Sequence, residues 1–155
     1  GVSELNGDIA HFEELANAIT SVSPVPILYE APHGAAKGCF NHVTEEILVR
    51  PGMSQKQTLK TMLHEISHAT LHRRKKNEPP SESVAYVVCQ HFGIDTSDYS
   101  FGYVAGWSKG KELDELKASL DTIRSCAAGL IDAIEKQCPS LAVSRQRTMS
   151  ATLER

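Results

Sequence analysis

The chain has no apolar run of membrane length, so no segment reads as a spanning helix. No stretch reads as a secretory signal peptide. Its four cysteines, Cys39, Cys89, Cys126 and Cys138, lack any close paired spacing. That pattern does not indicate a disulfide framework, and we expect reduced thiols in a cytoplasmic protein. The chain also lacks a basic excess: its net charge is −3. A general nucleic-acid or anionic-membrane surface is therefore not indicated within it, and the run Arg73–Lys76 reads as a solvated loop. Gly1 stands where a methionine would open a natural chain, which reads as an excised fragment or a tag remnant, and we expect a monomeric piece of a longer protein. What is present suits one core: 155 residues, 41% of them hydrophobic and 23% charged. We expect one domain over residues 1–138 and a mobile tail over residues 139–155.

The informative feature is His64-Glu65-Ile66-Ser67-His68. On a helix, positions i and i+4 share a face, so two imidazoles can hold one metal ion while Glu65 reaches water bound to it. Zinc suits such nitrogen donors, and a catalytic zinc keeps one position for water. The helical setting is favourable. Leu59, Met62, Leu63, Ile66, Ala69 and Thr70 gather on one side of the segment from Ser54 to His72, opposite His64 and His68. Pro51-Gly52 breaks the chain upstream, Ser54 is a candidate N-cap, and basic residues follow the last turn. The competing reading is a pair of solvated histidines on a surface helix.

A catalytic zinc site needs a third protein ligand, and Glu82 is the candidate. It opens a second helical stretch, Ser81 to Phe92, after Pro79-Pro80. That stretch is apolar nearly all round, which predicts burial. A buried carboxylate requires a partner, and a metal ion would be one. The alternative role for Glu82 is an ordinary first-turn acid. Glu78 sits beside prolines in a charged loop and reads as solvated. His72 lies two turns from His64, about 12 Å by helix rise, too far to share an ion. The glycine and third histidine of the metzincin extension are absent, because Leu71 and Arg74 occupy those places. His91 reads as a core or supporting histidine. His11, His33 and His42 show no ligand spacing.

The remaining segments supply a scaffold. His11 to Thr20 reads as an amphipathic helix. Val25–Ala31, Ala36–Phe40 and Glu45–Arg50 read as strands, with a turn at Pro32-His33-Gly34 and a tight loop at Asn41-His42. Strands first and helices afterwards indicate an α+β fold. An edge strand, Glu45–Arg50 or the one before it, is a candidate for pairing with an extended peptide. Ile94 to Ser108 reads as a loop carrying Tyr99, Phe101, Tyr103 and Trp107. These rings serve either as core packing or as cleft walls, with Tyr103, or alternatively Tyr99, as a candidate oxyanion stabiliser. Lys111 to Gln137 is a long amphipathic helix with a stripe from Leu113 to Ile134, expected to dock on the domain and to end at Pro139.

His64-Glu-Ile-Ser-His68 followed by Glu82-Ser-Val-Ala85-Tyr86 resembles the glutamate-type zincins of the ImmA/IrrE class. The stretch from Ala85 through Cys89-Gln-His-Phe-Gly-Ile-Asp-Thr-Ser-Asp-Tyr-Ser-Phe-Gly to Trp107 resembles the zincin-like domains of ArdC-like and LtrC-like antirestriction proteins of plasmids and conjugative elements. The similarity runs from about Leu5 to about Gln137. It implies a small antiparallel sheet packed on the HExxH helix and a long C-terminal helix. It further implies zinc held by His64, His68 and Glu82, with Glu65 as the base. The segment Arg73 to Ser81 is shorter and more basic than the family pattern. The expected activity is zinc-dependent hydrolysis of peptide bonds in a protein substrate, in regulation or antirestriction on a mobile element. Two alternatives stand beside it: a non-catalytic zinc-containing module acting on restriction enzymes or DNA, and a decayed fragment that folds without metal.

Overall fold

The computed structural model describes residues 9–71, 81–96, 106 and 108–142. In order these form α1 (Phe12–Val22), β1 (Ile27–Leu28), β2 (Gly38–Asn41), β3 (Glu46–Val49), α2 (Gln55–Leu71), α3 (Ser81–His91) and α4 (Leu113–Gln137). The architecture is α+β: α1 and α3 pack on α2, α4 packs on α1 and α3, and a three-stranded sheet lies against α2. No helix among the described residues is long and apolar enough to cross a membrane. All four cysteines are free thiols.

α2 is the axis. Ser54 caps it as expected: its hydroxyl accepts the Gln57 amide at 3.1 Å and its carbonyl accepts Thr58 N–H at 2.9 Å. The expected apolar stripe is buried, with Leu59, Met62 and Ile66 fully inaccessible, but Thr70 is exposed. Burial also extends beyond the stripe to Gln57, Lys60, Thr61, Glu65 and Ser67. These polar side chains are tolerated inside because they find partners. Gln57 donates to Thr61 Oγ1 at 3.0 Å, and Ser67 Oγ donates to the Leu63 carbonyl at 2.8 Å.

The sheet corrects the expectation of an antiparallel one. Its order is β1-β3-β2, with β2 antiparallel to β3 but β1 parallel to it. Residues 29–37 carry the chain from one edge to the other, so the two flanking strands run in opposite directions. Arg50 holds this connection by donating to the carbonyls of Gly34 at 2.7 Å and Ala36 at 2.9 Å. β3 is therefore central rather than an edge, and its Ile47 and Val49 are fully buried. In the hairpin, the Asn41 side-chain oxygen accepts the amides of Val43 and Thr44 at 2.9 and 3.1 Å.

α3 buries one side, including Glu82, Val84, Ala85, Val88 and Cys89, whereas Val87 is exposed. The expectation of all-round burial fails because neighbours cover only the side facing α2 and α4. A Schellman turn ends the helix: Gly93 has φ 78° and Ile94 N–H reaches the Cys89 carbonyl at 2.8 Å. On α4 the C-terminal half docks through Ile123, Ala127, Leu130 and Ile134, while Leu113 and Leu120 are exposed. His91 joins α3 to α4 through Glu135 Oε1 at 2.5 Å, a supporting contact away from the cleft. The helix stops at Cys138, but residues 139–142 make a further helical turn and Leu141 packs on the core.

Ser54→Ala removes the cap from the helix on which α1, α3, β2 and β3 pack. It should lower the unfolding free energy by about 1 kcal/mol, read as a lower urea midpoint at unchanged slope.

Candidate metal centre

The i, i+4 spacing does on α2 what it does on any helix: it stacks His64 and His68. Their rings meet edge to face with centroids 4.7 Å apart, and the two Nε2 atoms lie 3.1 Å apart. The Nδ1 of His64 donates to Glu82 Oε2 at 2.7 Å, leaving Nε2 with its lone pair toward His68. Two nitrogens bound to one tetrahedral zinc at about 2.0–2.1 Å each would stand about 3.3 Å apart. The observed separation fits that demand. Ligand atoms of His64, Glu65 and His68 all lie within 4.8 Å of one another.

Glu82 reaches the centre by a different route. It is 1% exposed, the burial expected of it, and lies beside His64, but it is not one of those three close donors. Its Oε2 is shared by the His64 ring and by Lys60 Nζ, each at 2.7 Å. Burial alone would raise the Glu82 pKa. The His64 hydrogen bond and the Lys60 ammonium outweigh it and hold the carboxyl below its usual range. Lys60 is itself 3% exposed, and burial lowers its pKa against the pull of Glu82. Sequence reasoning missed Lys60. The available signal was its place one turn before His64 on a helix otherwise read for its apolar stripe.

Glu65 faces the sheet. Burial pushes its pKa up, opposed by His64, by Lys60 and by the Phe40 amide, which donates to the carboxylate. For His68, desolvation of the ring and the neighbouring His64 lower the pKa to about 4. Both shifts suit the site. A carboxyl with a raised pKa accepts protons readily, and a histidine that resists protonation keeps its lone pair for a cation.

A cavity of about 710 Å³ opens over these groups, lined by Gly38, Cys39, Phe40, His42, His64, Glu65 and His68. β2 forms its opposite wall. This brings in His42, which spacing alone gave no reason to select, and it makes the strand before β3 the cleft strand. Gly38 permits the close approach: a Cβ there would lie 2.5 Å from Thr61 Cγ2, 3.0 Å from the Leu48 carbonyl oxygen and 3.2 Å from Glu65 Cγ. By contrast, Cys89 is a buried thiol whose pKa is pushed up to about 12 by burial, an inert core group. The candidate oxyanion residues Tyr103 and Tyr99 lie outside the described residues, as do Glu78, His72, Trp107 and most of the Arg73–Ser81 segment.

No family model matches the chain. It is similar to an uncharacterized protein of Bacillus anthracis, with 29% identity over 124 residues. That match covers 74% of this chain and 21% of the relative, so the chain spans about a fifth of the relative's length. No solved structure matches.

Two outcomes are expected. Gly38→Ala should push β2 off α2, destabilising the fold by about 1–3 kcal/mol and displacing Glu65, as read by denaturation and by amide shifts of β2. The second concerns acid. A folded-state pKa of about 4 for His68 lies below its ordinary 6.5. Its contribution to stability is therefore complete above 6.5 and is lost as pH falls toward 4. Glu82 adds a loss in the same direction below 4.5, whereas Glu65, raised, favours the fold most below 4.5 and less as pH rises. Subtracting melting curves of His68→Asn from those of the parent, both in chelator, should isolate a decline between pH 6.5 and 4.

Proposed function

We propose that this chain is a zinc-dependent metallopeptidase domain that hydrolyses peptide bonds of a protein substrate in the cytoplasm, in regulation or antirestriction on a mobile element. One observation carries the reading: a histidine pair with facing nitrogens and a buried glutamate share a cleft with an accessible strand. The resemblance of the motif and of Ala85–Trp107 to zincin domains supports it. So does the donor set, which fits zinc. His64 and His68 would hold the ion; for Glu82 to serve as third ligand its carboxylate would have to leave the Nδ1 edge of His64, where it now accepts a hydrogen bond.

When bound, zinc would bring the pKa of its water toward about 7 and polarise the scissile carbonyl. The chain's own residues do the rest. Glu65, at the cleft floor with a raised pKa, takes the proton of the attacking water and returns it to the leaving amide nitrogen. Glu82 fixes the His64 ring through Nδ1. β2 is at the sheet edge, and its outer side meets the cleft. An extended peptide lying along it in strand fashion would place its scissile carbonyl carbon beside the water that Glu65 deprotonates.

Glu65→Gln keeps the shape and the histidines but removes the base. Zinc content should stay near that of the parent, while cleavage of an unfolded, fluorescently labelled protein should fall by about 10²–10⁴-fold. Equal cleavage by both proteins would refute the peptidase reading. Zinc in the parent without cleavage of any substrate, and with Glu65→Gln biologically active, would favour the non-catalytic binding module.

A further inference from the structure

We propose that Lys60 is a positioning residue of the metal centre: its buried ammonium holds Glu82, and through Glu82 it holds His64, in the arrangement that receives a divalent cation. The proposal rests on the metal reading above. Packing does not explain this lysine. Its neighbours on α2, Leu59, Met62, Leu63 and Ile66, are apolar and at most 1% exposed, while Lys60 carries a charge to a place 3% exposed. Lysine is almost never so buried unless paired, and the cost of stripping its water is large. A function for that charge must therefore be sought in what it touches.

Lys60 Nζ and His64 Nδ1 both approach one oxygen, Glu82 Oε2, at 2.7 Å. The contacts run from α2 to α3 and back to α2, one helical turn further on. One consequence follows. An oxygen fixed between two donors fixes the imidazole. With Nδ1 committed to Glu82, the His64 ring presents Nε2 to His68 Nε2 at 3.1 Å. Such outer partners of metal-binding histidines typically set affinity by about 10–100-fold. Lys60 acts one step further out, and on either histidine support or direct ligation by Glu82 it fixes the same carboxylate.

The test is a titration of the metal-free protein with Zn²⁺ and with Co²⁺, whose visible absorption reports the ligand field. Lys60→Met, which keeps the length and removes the charge, should weaken binding by about 10–100-fold and alter the cobalt spectrum. Glu82→Gln should do at least as much. The double variant should bind no worse than Glu82→Gln alone, because the lysine acts only through that carboxylate. A merely structural lysine would lower the melting temperature yet leave the cobalt spectrum and zinc affinity unchanged, and that result overturns the proposal. Should Lys60→Met fail to fold, Lys60→Gln, which keeps a polar end without the charge and leaves Glu82 intact, decides: binding as tight as the parent's overturns the proposal, and binding weakened by about 10-fold or more supports it. A parent that takes up neither ion overturns the metal reading and this inference together. A parent that binds while Lys60→Met binds equally well removes the lysine alone.

Discussion

A single carboxylate oxygen, Glu82 Oε2, sits where α2 and α3 meet and accepts from both Lys60 and His64. Its burial makes the arrangement compulsory. An ionised carboxylate in such a place is very costly without compensation, so α2 must bring both a cationic and an N–H group to the carboxylate that α3 supplies. Once they do, the relative position of α2 and α3 is fixed by geometry as well as by the apolar contacts of Leu63, Ile66, Val84 and Val88. The orientation of His64 follows, and with it the facing nitrogens of the histidine pair.

The sheet completes the site from the other side. β2 lies close enough to α2 that only a glycine fits at position 38, and its Phe40 amide meets the Glu65 carboxylate. Glu65 is thus held between a strand and a helix, away from bulk water but at the floor of an open cleft. The contrast between the carboxylates is one of environment. Glu82 is charged because two donors share it, and Glu65 has a raised pKa because burial prevails over its weaker partners. Two like groups thereby acquire opposite character within one small fold.

Much of this was legible before any coordinates. The helical period placed His64 and His68 together, the Ser54 cap set the start of α2, and the Pro79-Pro80 break announced α3 with Glu82 in its first turn. The order of elements gave α+β. Strand direction was less legible. Short apolar runs give little sign of whether neighbours run parallel, and β1 was read as seven residues from Val25 to Ala31 where only Ile27–Leu28 pair. Helix exposure was misread at Thr70 and Val87, since periodicity names a face but not the width of what covers it.

The sequence by itself determined the chemistry available: which donors exist, that two of them share a helix face, and that an acid follows on the next helix. Those are local properties, fixed by a repeat of 3.6 residues and by turn-forming residues. Only the tertiary structure decided which groups meet. Lys60 pairing with Glu82, the Phe40 amide on Glu65, His42 in the cleft and the tight seat of Gly38 all join segments distant in the chain. Such contacts depend on how elements pack across a core, and no spacing along the chain encodes the distance between two helices or between a strand and a helix.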